Sequence, residues 1–219
     1  MIYSYPYTIS ISRAGPENLL TPASAMDLLQ DCATMHTMAA GAGPDTLKQQ
    51  HIAWVANSWN IYFDKPCHFE ETVQLATWAH KFDRVFAHRN CSITNANGEL
   101  CLRADSLWFL MDLEKKIPLP MKKEQAAHYE NHPRLEMPPM VRRLKLPEEL
   151  ETRPEFQVPR YAIDVNQHMN NVWYVRFAAE YLPEGFQVGQ LKVEYTQSAR
   201  QGDLVFPKVA QQGGTVWVA

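Results

Sequence analysis

The sequence predicts an α+β protein built from two tandem copies of one unit, in which an antiparallel sheet wraps a single long helix. Two observations support this prediction. A helical pattern followed by several strand-like segments occurs twice, and parts of the two halves match at a constant offset of 132 residues. The 219 residues, 46% hydrophobic and 21% charged, are typical of a globular protein with a substantial core.

The first helix is predicted over residues 22–39. Thr21 is a favourable N-cap residue, and Pro22 suits the first position of a helix. Apolar residues then recur at helical spacing: Ala25, Leu28, Leu29, Cys32, Met35 and Ala39. Gly41 and Gly43-Pro44 end the helix. The second helix is predicted over residues 169–181, before the helix-breaking Pro183 and Gly185.

Segments rich in β-branched and aromatic residues follow each helix and predict strands. In the first half they span residues 52–63, 72–81, 84–94 and 100–112, with a hairpin turn at residues 95–98. In the second half they span residues 190–196, 203–210 and 215–219. This order of elements, repeated, predicts two antiparallel sheets that each wrap one helix.

The repeat has a definite register. Residues 61–64 and 70–73 correspond to residues 193–196 and 202–205 at the offset of 132. A sheet wrapped around one long helix describes the hot-dog fold, so we predict a tandem (double) hot-dog. Its first domain covers residues 1–120, a proline-rich surface linker covers residues 121–152, and the second domain covers residues 153–219.

The second domain is predicted to be incomplete. At the offset of 132, residues 88–112 have no counterpart in the second half. Those residues form a hairpin in the first half, so we expect its loss to leave an unpaired sheet edge. An unpaired edge favours dimerisation, whereas a double hot-dog can be monomeric, and the sequence leaves both states open.

Several classes of protein are excluded by composition. No apolar run reaches the ~18 residues of a membrane span, and the N-terminus lacks the pattern of a secretory signal. The net charge of −3 gives no general attraction to nucleic acid. Four cysteines without C-x-x-C spacing indicate free thiols in a reducing compartment, which predicts a cytoplasmic protein: Cys32, Cys67, Cys91 and Cys101.

The strongest chemical signal is the string Asp164-Val165-Asn166-Gln167-His168, just before the second helix. If its backbone is extended, the three polar side chains point to one side. The N-terminus of the helix then supplies N–H donors for a developing oxyanion, and His168 or Asn166 can activate water. The alternative is a purely structural N-cap turn, since Asp and Asn are common there. Asn170-Asn171 and Trp173-Tyr174 make the string more specific.

Residues 164–174 resemble the D-x-N-x-H-x-N-N-x-x-Y string of the acyl-ACP thioesterases of plants and bacteria. Further landmarks are similar: Trp54-Val55, Asp64, Thr77-Trp78, Arg103-Ala104-Asp105-Ser106-Leu107-Trp108 and Val193-Glu194-Tyr195. The resemblance implies a double hot-dog enzyme that hydrolyses fatty acyl-ACP without a metal or organic cofactor. It implies that Asn166 and His168 polarise the thioester and activate water, while Asp164 orients them.

The resemblance also implies where the substrate binds. The acyl chain would lie in a tunnel of the first hot-dog, beside its helix, where four residues are candidates for the lining: Met26, Leu29, Met35 and Met38. Plain core packing is the alternative for each of them. Asn170 and Asn171 are further candidates for substrate binding. Ser198 stands where the family commonly has glutamate, and a serine without a partner is no general base at neutral pH.

Acyl carrier protein is acidic, so exposed basic residues are candidates for docking it: Lys122, Lys123, Arg142, Arg143 and Lys145. Ordinary solvated surface is the alternative. Two other functions stay open at this point. An acyl-CoA thioesterase would use the same fold and loop, and a non-catalytic acyl-binding hot-dog protein would fit the serine at position 198.

Overall fold

A seven-stranded antiparallel sheet dominates the computed structural model, which describes residues 1–219. The strands are β1 Tyr3–Thr8, β2 Ile52–Phe63, β3 Thr72–Phe82, β4 Phe86–Thr94, β5 Leu100–Asp112, β6 Ile117–Leu119, β7 Glu151–Thr152, β8 Phe156–Gln157, β9 Gln190–Glu194, β10 Leu204–Val205, β11 Lys208–Gln212 and β12 Thr215–Val218. The helices are α1 Pro22–Ala39, α2 Pro44–Gln49, α3 Lys123–Ala126 and α4 Asn171–Ala179.

The chain divides into two compact units. The first unit comprises Met1–Arg142 with Val188–Glu194, and the second comprises Arg143–Gln187 with Tyr195–Ala219. The large sheet belongs to the first unit and has the strand order β1-β3-β4-β5-β2-β9, with β6 paired to β5. The predicted strands of the first half are therefore present, and β1 and the short helix α2 are additions that the sequence pattern did not predict.

Helix α1 is the central helix of the first unit. The Thr21 hydroxyl accepts a hydrogen bond from the Ser24 N–H at 3.2 Å, and Pro22 occupies the first turn, as predicted. The helix ends at Ala39, and Gly41 follows at a positive φ of 73°. Fully buried residues cover the side of α1 that packs on the sheet: Ala25, Met26, Leu29 and Cys32. A long helix packed on an antiparallel sheet is the predicted arrangement.

The second unit is smaller, and its strands form two separate sheets. One sheet pairs β8 with β10, and the other has the order β7-β11-β12. Helix α4 starts two residues later and ends two residues earlier than the prediction of 169–181. Val172 and Val175 are its buried side chains. A small apolar core in this unit consists of Val158, Ala162 and Met169, and Trp173 and Phe177 of α4 pack against it.

The predicted repeat register recurs in the hydrogen-bonded pairing of β2 with β9. Asn60 lies opposite Lys192, which is its own counterpart at the offset of 132. The neighbouring pairs are symmetric about this one: Trp59 with Val193 and Ile61 with Leu191. Each residue of β2 thus pairs with the counterpart of the residue on the other side of Asn60. The two strands are related by a local two-fold axis, as expected for a duplicated hot-dog.

The segment predicted as a surface linker, residues 121–152, lies partly against the first unit. Tyr129 and Met137 are buried. The indole of Trp78 donates to the Pro133 carbonyl at 2.9 Å, and Arg134 pairs with the buried Asp105. Residues 129–137 are therefore packed on the sheet, while most of residues 141–152 are exposed.

No helix has both the length and the apolar character needed to cross a membrane. All four cysteines are free and buried. Burial raises the pKa of the Cys67 thiol to about 12, so this thiol is protonated at neutral pH.

Candidate active site

The string that carries the candidate chemistry forms a closed loop between Ile163 and Met169, which pair as an isolated β-bridge. The Asp164 N–H donates to the His168 carbonyl at 2.9 Å, and the Gln167 N–H donates to the Asp164 carbonyl at 3.0 Å. We call residues 163–169 the polar loop. These bonds fix its backbone, with Asp164 and His168 half-buried and Asn166 exposed.

The expectation of an extended backbone over residues 164–168 is wrong. Gln167 has a φ of 63°, in the left-handed region, which turns the chain back on itself. The Asp164 carboxylate accepts a hydrogen bond from the Asn166 N–H at 2.8 Å, a typical Asx turn. Asp164 therefore orients the backbone of Asn166. The role that the resemblance implies for Asp164, orienting the Asn166 and His168 side chains for catalysis, stays a prediction.

Helix α4 begins directly after the polar loop. Asn170 is its N-cap, and its side-chain oxygen accepts a hydrogen bond from the Val172 N–H at 3.0 Å. The Asn171 carbonyl accepts from the Tyr195 hydroxyl at 3.0 Å. The N-terminus of α4, the positive end of its dipole, follows three residues after His168 in the chain, as predicted. The N-cap function belongs to Asn170, so Asp164 and Asn166 are not the capping residues.

A second segment, residues 197–199, lies against the polar loop. The Met169 N–H donates to the Ala199 carbonyl at 2.7 Å. His168 and Ser198 are the chain neighbours of these two bonded residues, so the structure brings the predicted Ser198 close to the polar loop. Ser198 is exposed. The hydroxyl of Tyr174, on α4, accepts from the Ala199 N–H at 2.9 Å and donates to the Gln197 carbonyl at 3.4 Å.

The first unit contains the same loop without the same chemistry. Residues 14–20 are bridged at their ends like residues 163–169, and Asn18 has a φ of 60° where Gln167 has 63°. The offset here is 149 residues, from Thr21 to Asn170 at the two N-caps. Each backbone hydrogen bond described for the polar loop and residues 197–199 has an equivalent in the first unit. These are Gly15 N–H to Leu19 carbonyl at 2.8 Å, Asn18 N–H to Gly15 carbonyl at 3.0 Å and Leu20 N–H to Cys67 carbonyl at 2.9 Å.

The two loops differ in their side chains. Gly15, Glu17 and Leu19 occupy the positions of Asp164, Asn166 and His168. The loop therefore forms without an aspartate or a histidine at these positions, although Asp164 adds the Asx-turn bond to its own copy. Because the backbone bonds alone suffice for this fold, the side chains of Asn166 and His168 are available for another purpose, which favours a chemical role over the structural alternative.

The four candidates for an acyl-chain lining are divided by exposure. Met26 and Leu29 are fully buried on the side of α1 that faces the sheet. Met35 and Met38 are 42% and 62% exposed, so they are not part of the buried face of α1, and their predicted contact with an acyl chain stays a prediction. They lie on other faces of the helix, because helical spacing from Leu29 turns both of them away from the sheet.

The five basic residues predicted to dock acyl carrier protein are all exposed: Lys122, Lys123, Arg142, Arg143 and Lys145. The Arg142 guanidinium lies 4.4 Å from the centroid of the Phe86 ring, a cation–π contact that restrains this side chain. No group of three His, Cys, Asp or Glu side chains is arranged to hold a metal ion.

Tyr174 is the residue of this site to which the sequence pattern assigned no role. It belonged to the specific string, but its position four residues after the N-cap suggested only a helix face. Burial raises the pKa of Tyr174, so its hydroxyl is neutral and can both donate and accept. One feature of the sequence could have indicated its role. Tyr174 carries a polar hydroxyl in the first turns of the helix, next to the apolar residues Val172 and Val175.

Two family models match the chain. Residues 1–129 match the acyl-ACP thioesterase N-terminal domain, and residues 146–214 match the acyl-ACP thioesterase C-terminal domain. Among curated proteins, oleoyl-acyl carrier protein thioesterase 1, chloroplastic, from Arabidopsis thaliana is 25% identical, with 93% of this chain and 62% of that protein covered. Palmitoyl-acyl carrier protein thioesterase, chloroplastic, from Cuphea hookeriana is 26% identical, with 89% and 51% covered. The chain spans less than two thirds of the length of these relatives.

Solved structures are similar along nearly the whole chain. An acyl-ACP thioesterase from Bacteroides thetaiotaomicron VPI-5482 has a TM-score of 0.89 and 19% identity, with 99% of this chain and 91% of that chain covered. The 12:0-ACP thioesterase from Umbellularia californica has a TM-score of 0.86 and 17% identity, with 98% and 89% covered. At these identities the likeness concerns the fold, and it confirms the predicted α+β hot-dog architecture.

Proposed function

Because the chain belongs to the acyl-ACP thioesterase family, we propose that it hydrolyses the thioester of a fatty acyl-ACP to a free fatty acid and ACP, the step that terminates fatty acid synthesis. The observation that carries the proposal is the polar loop. Its backbone is the same as that of the loop in the first unit, yet only the second copy has Asp, Asn and His at the three matched positions.

The proposed chemistry follows from the groups available. Hydrolysis places negative charge on the carbonyl oxygen as water adds to the carbon, and the C–S bond then breaks. In the proposal, Asn166 donates to that oxygen or to the water, and His168 takes the proton of the attacking water and returns it to the departing sulfur. Asp164 fixes the Asn166 backbone through the 2.8 Å bond. Ser198, beside this loop, holds the water by hydrogen bonding.

The test is release of free thiol from acyl-ACPs of several chain lengths, compared for the wild type and loop variants. His168→Leu is the preferred inactivating change, since Leu19 occupies the same position of the first loop and the fold accepts it there. We expect a loss of ~10²–10⁴-fold in rate. Asn166→Ala should lose ~10²–10³-fold. Gln167→Asn is the matched control and should retain activity, because Asn18 takes the same backbone conformation in the first loop.

The same assay separates the carriers. Faster hydrolysis of acyl-ACP than of the matching acyl-CoA supports the proposal, and the reverse order supports an acyl-CoA thioesterase. Absence of hydrolysis with any carrier, from a folded protein, would refute the enzyme and leave an acyl-binding protein. The proposal also includes contact of the substrate with four residues: Met26, Leu29, Asn170 and Asn171. The Leu29→Ala variant tests this contact through the dependence of its hydrolysis rate on acyl-chain length.

We also propose that ACP docks on the five exposed basic residues: Lys122, Lys123, Arg142, Arg143 and Lys145. Reversing charges there, as in Lys122→Glu/Lys123→Glu or Arg142→Glu/Arg143→Glu, should raise KM for acyl-ACP and flatten its salt dependence. Lys48→Glu/Lys115→Glu, two exposed lysines outside that set, is the control with the same charge change. Equal effects of all three variants would contradict a localised docking surface. A cytoplasmic location is also part of the proposal, whereas the curated plant relatives are named chloroplastic.

A further inference from the structure

The hydroxyl of Tyr174 holds both sides of Ser198. It accepts a hydrogen bond from the Ala199 N–H at 2.9 Å and donates one to the Gln197 carbonyl at 3.4 Å. We propose that Tyr174 is a positioning residue that fixes residues 197–199 and thereby holds Ser198 beside the polar loop. This inference rests on the proposed thioester hydrolysis and adds to it a residue whose role the family resemblance did not supply.

The tyrosine is itself held in place. It is half-buried on α4, and its ring packs edge-on against the Tyr195 ring, with centroids 5.8 Å apart. The Tyr195 hydroxyl in turn bonds the Asn171 carbonyl in the first turn of the same helix. A hydroxyl on a ring with two fixed torsions is a rigid anchor, because a tyrosine side chain has few rotamers to lose.

A comparison of the two units shows what is specific to the second. The backbone bond between loop and neighbouring segment occurs in both: Leu20 to Cys67 in the first unit and Met169 to Ala199 in the second. At the loop offset of 149, the counterpart of Tyr174 is Ala25, which has no hydroxyl. The segment before Cys67 is held by strand β5 instead, since the Asp64 and Lys65 N–H groups both donate to the Cys101 carbonyl at 2.9 and 3.0 Å.

The two units therefore use different devices for equivalent segments. In the first unit a strand holds the chain up to residue 65, two positions before Cys67. In the second unit Tyr174 holds residues 197 and 199, on the two sides of the serine. Removing the hydroxyl frees these two backbone groups to seek water. The bond from Met169 to Ala199 and the packing of Ala199 on the small apolar core are then what hold Ser198 beside the polar loop.

The experiment compares Tyr174→Phe with Tyr161→Phe, in the full chain. Tyr161 is 69% exposed and its ring packs on Trp173, 4.9 Å between centroids, so the control removes a hydroxyl from the same unit without touching residues 197–199. Two readouts are used. Hydrogen exchange followed by mass spectrometry reports on peptides that contain Ala199, and steady-state kinetics with acyl-ACP report kcat and KM separately.

We expect faster exchange at residues 197–200 in Tyr174→Phe alone. We also expect kcat to fall by ~10-fold to 100-fold, since small displacements of a positioned group have such effects, with KM within about twofold. Tyr174→Phe/Ser198→Ala should lose little more than the more impaired single variant, because both changes act on one unit of the site.

The outcomes separate the two proposals. An active wild type whose Tyr174→Phe variant keeps its kcat would overturn the positioning role and leave the proposed function intact. An equal fall in kcat for both tyrosine variants would reduce Tyr174 to general packing and also overturn it. Unchanged exchange at residues 197–200 would refute the restraint itself, whatever the activity. An inactive wild type would refute the proposed hydrolysis, and with it any catalytic purpose of the restraint.

Discussion

The buried carboxylate of Asp105 permits a sharp prediction about stability. Asp105 is 1% exposed and accepts hydrogen bonds from three nitrogens. The His80 Nε2 lies 3.0 Å from one carboxylate oxygen, and the Arg134 Nε and Nη2 lie 3.1 and 3.0 Å from the other. Arg134 comes from the segment predicted as a linker, and it also donates to the carbonyls of Met137 and Pro138.

The perturbation is Arg134→Met, which keeps an unbranched side chain and removes the charge. It leaves a buried carboxylate with His80 as its remaining partner, and orphaning a buried charge costs about 3–5 kcal/mol. Because Arg134 is 33% exposed and His80 stays, we expect the lower end, about 3 kcal/mol. Asp105→Asn breaks the same pair but leaves the cation, which can reach water, so we expect about 1–2 kcal/mol.

The assay is urea unfolding followed by circular dichroism, with Lys65→Met as the control. Lys65 pairs with Glu99 at the surface, where both side chains are nearly half exposed, and its loss should change stability by less than about 1 kcal/mol. The decisive result is the double variant. Arg134→Met/Asp105→Asn should be more stable than Arg134→Met alone, because the unpaired buried charge is gone. A double variant less stable than Arg134→Met would refute the reasoning.

Three further predictions concern α1 and the polar loop. Burial of the His36 imidazole, with the nearby charge of Arg89, lowers its pKa from 6.5 to about 4. As the pH falls, His36 is therefore protonated in the unfolded chain before it is protonated in the folded chain, so the free energy of unfolding decreases between pH 6.5 and pH 4. Urea titrations at several pH values should show a smaller decrease for His36→Gln. Thr21→Ala removes the N-cap of α1 and should lower the free energy of unfolding by about 1 kcal/mol in urea titrations, with Thr34→Ala as a control outside the cap. A β-branched residue is strained at the Gln167 φ of 63°, so the free energy of unfolding of Gln167→Ile should be about 1 kcal/mol below that of Gln167→Gly. Thermal unfolding measures the difference, and equal melting temperatures of the two variants would contradict this prediction.

The first half of the fold was predictable from the sequence because its local signals agree with its tertiary structure. Thr21, Pro22 and Gly41 delimit α1, and the long strands β2 and β5 match their predicted bounds. The second half was less predictable. Its strands have two to five residues, too few for a periodic pattern to set their ends, and β9 joins the sheet of the first unit.

The sequence indicated which residues form the polar loop, but it did not predict the geometry of that loop. The string around Asp164 and His168 was specific enough to identify, but the left-handed backbone at Gln167 has no signature, since glutamine is uncommon in that conformation. The matching loop at residues 14–20 was not predictable either, because Gly15, Glu17 and Leu19 share no side-chain chemistry with their counterparts in the polar loop. The exposure of Met35 and Met38 was not predictable, because the sequence does not show which faces of α1 lie against the sheet.

The pairing of β2 with β9 has a consequence for how the protein is made. Strand β2 is synthesised some 130 residues before its partner, so during translation at ~5–20 residues per second its outer edge stays open for roughly 10 s. An open edge on a long strand is a template for pairing with other chains. Nascent chains that end before residue 190 should thus associate, or bind chaperones, more readily than the finished protein, and the closing of the first unit waits on the arrival of Gln190–Glu194.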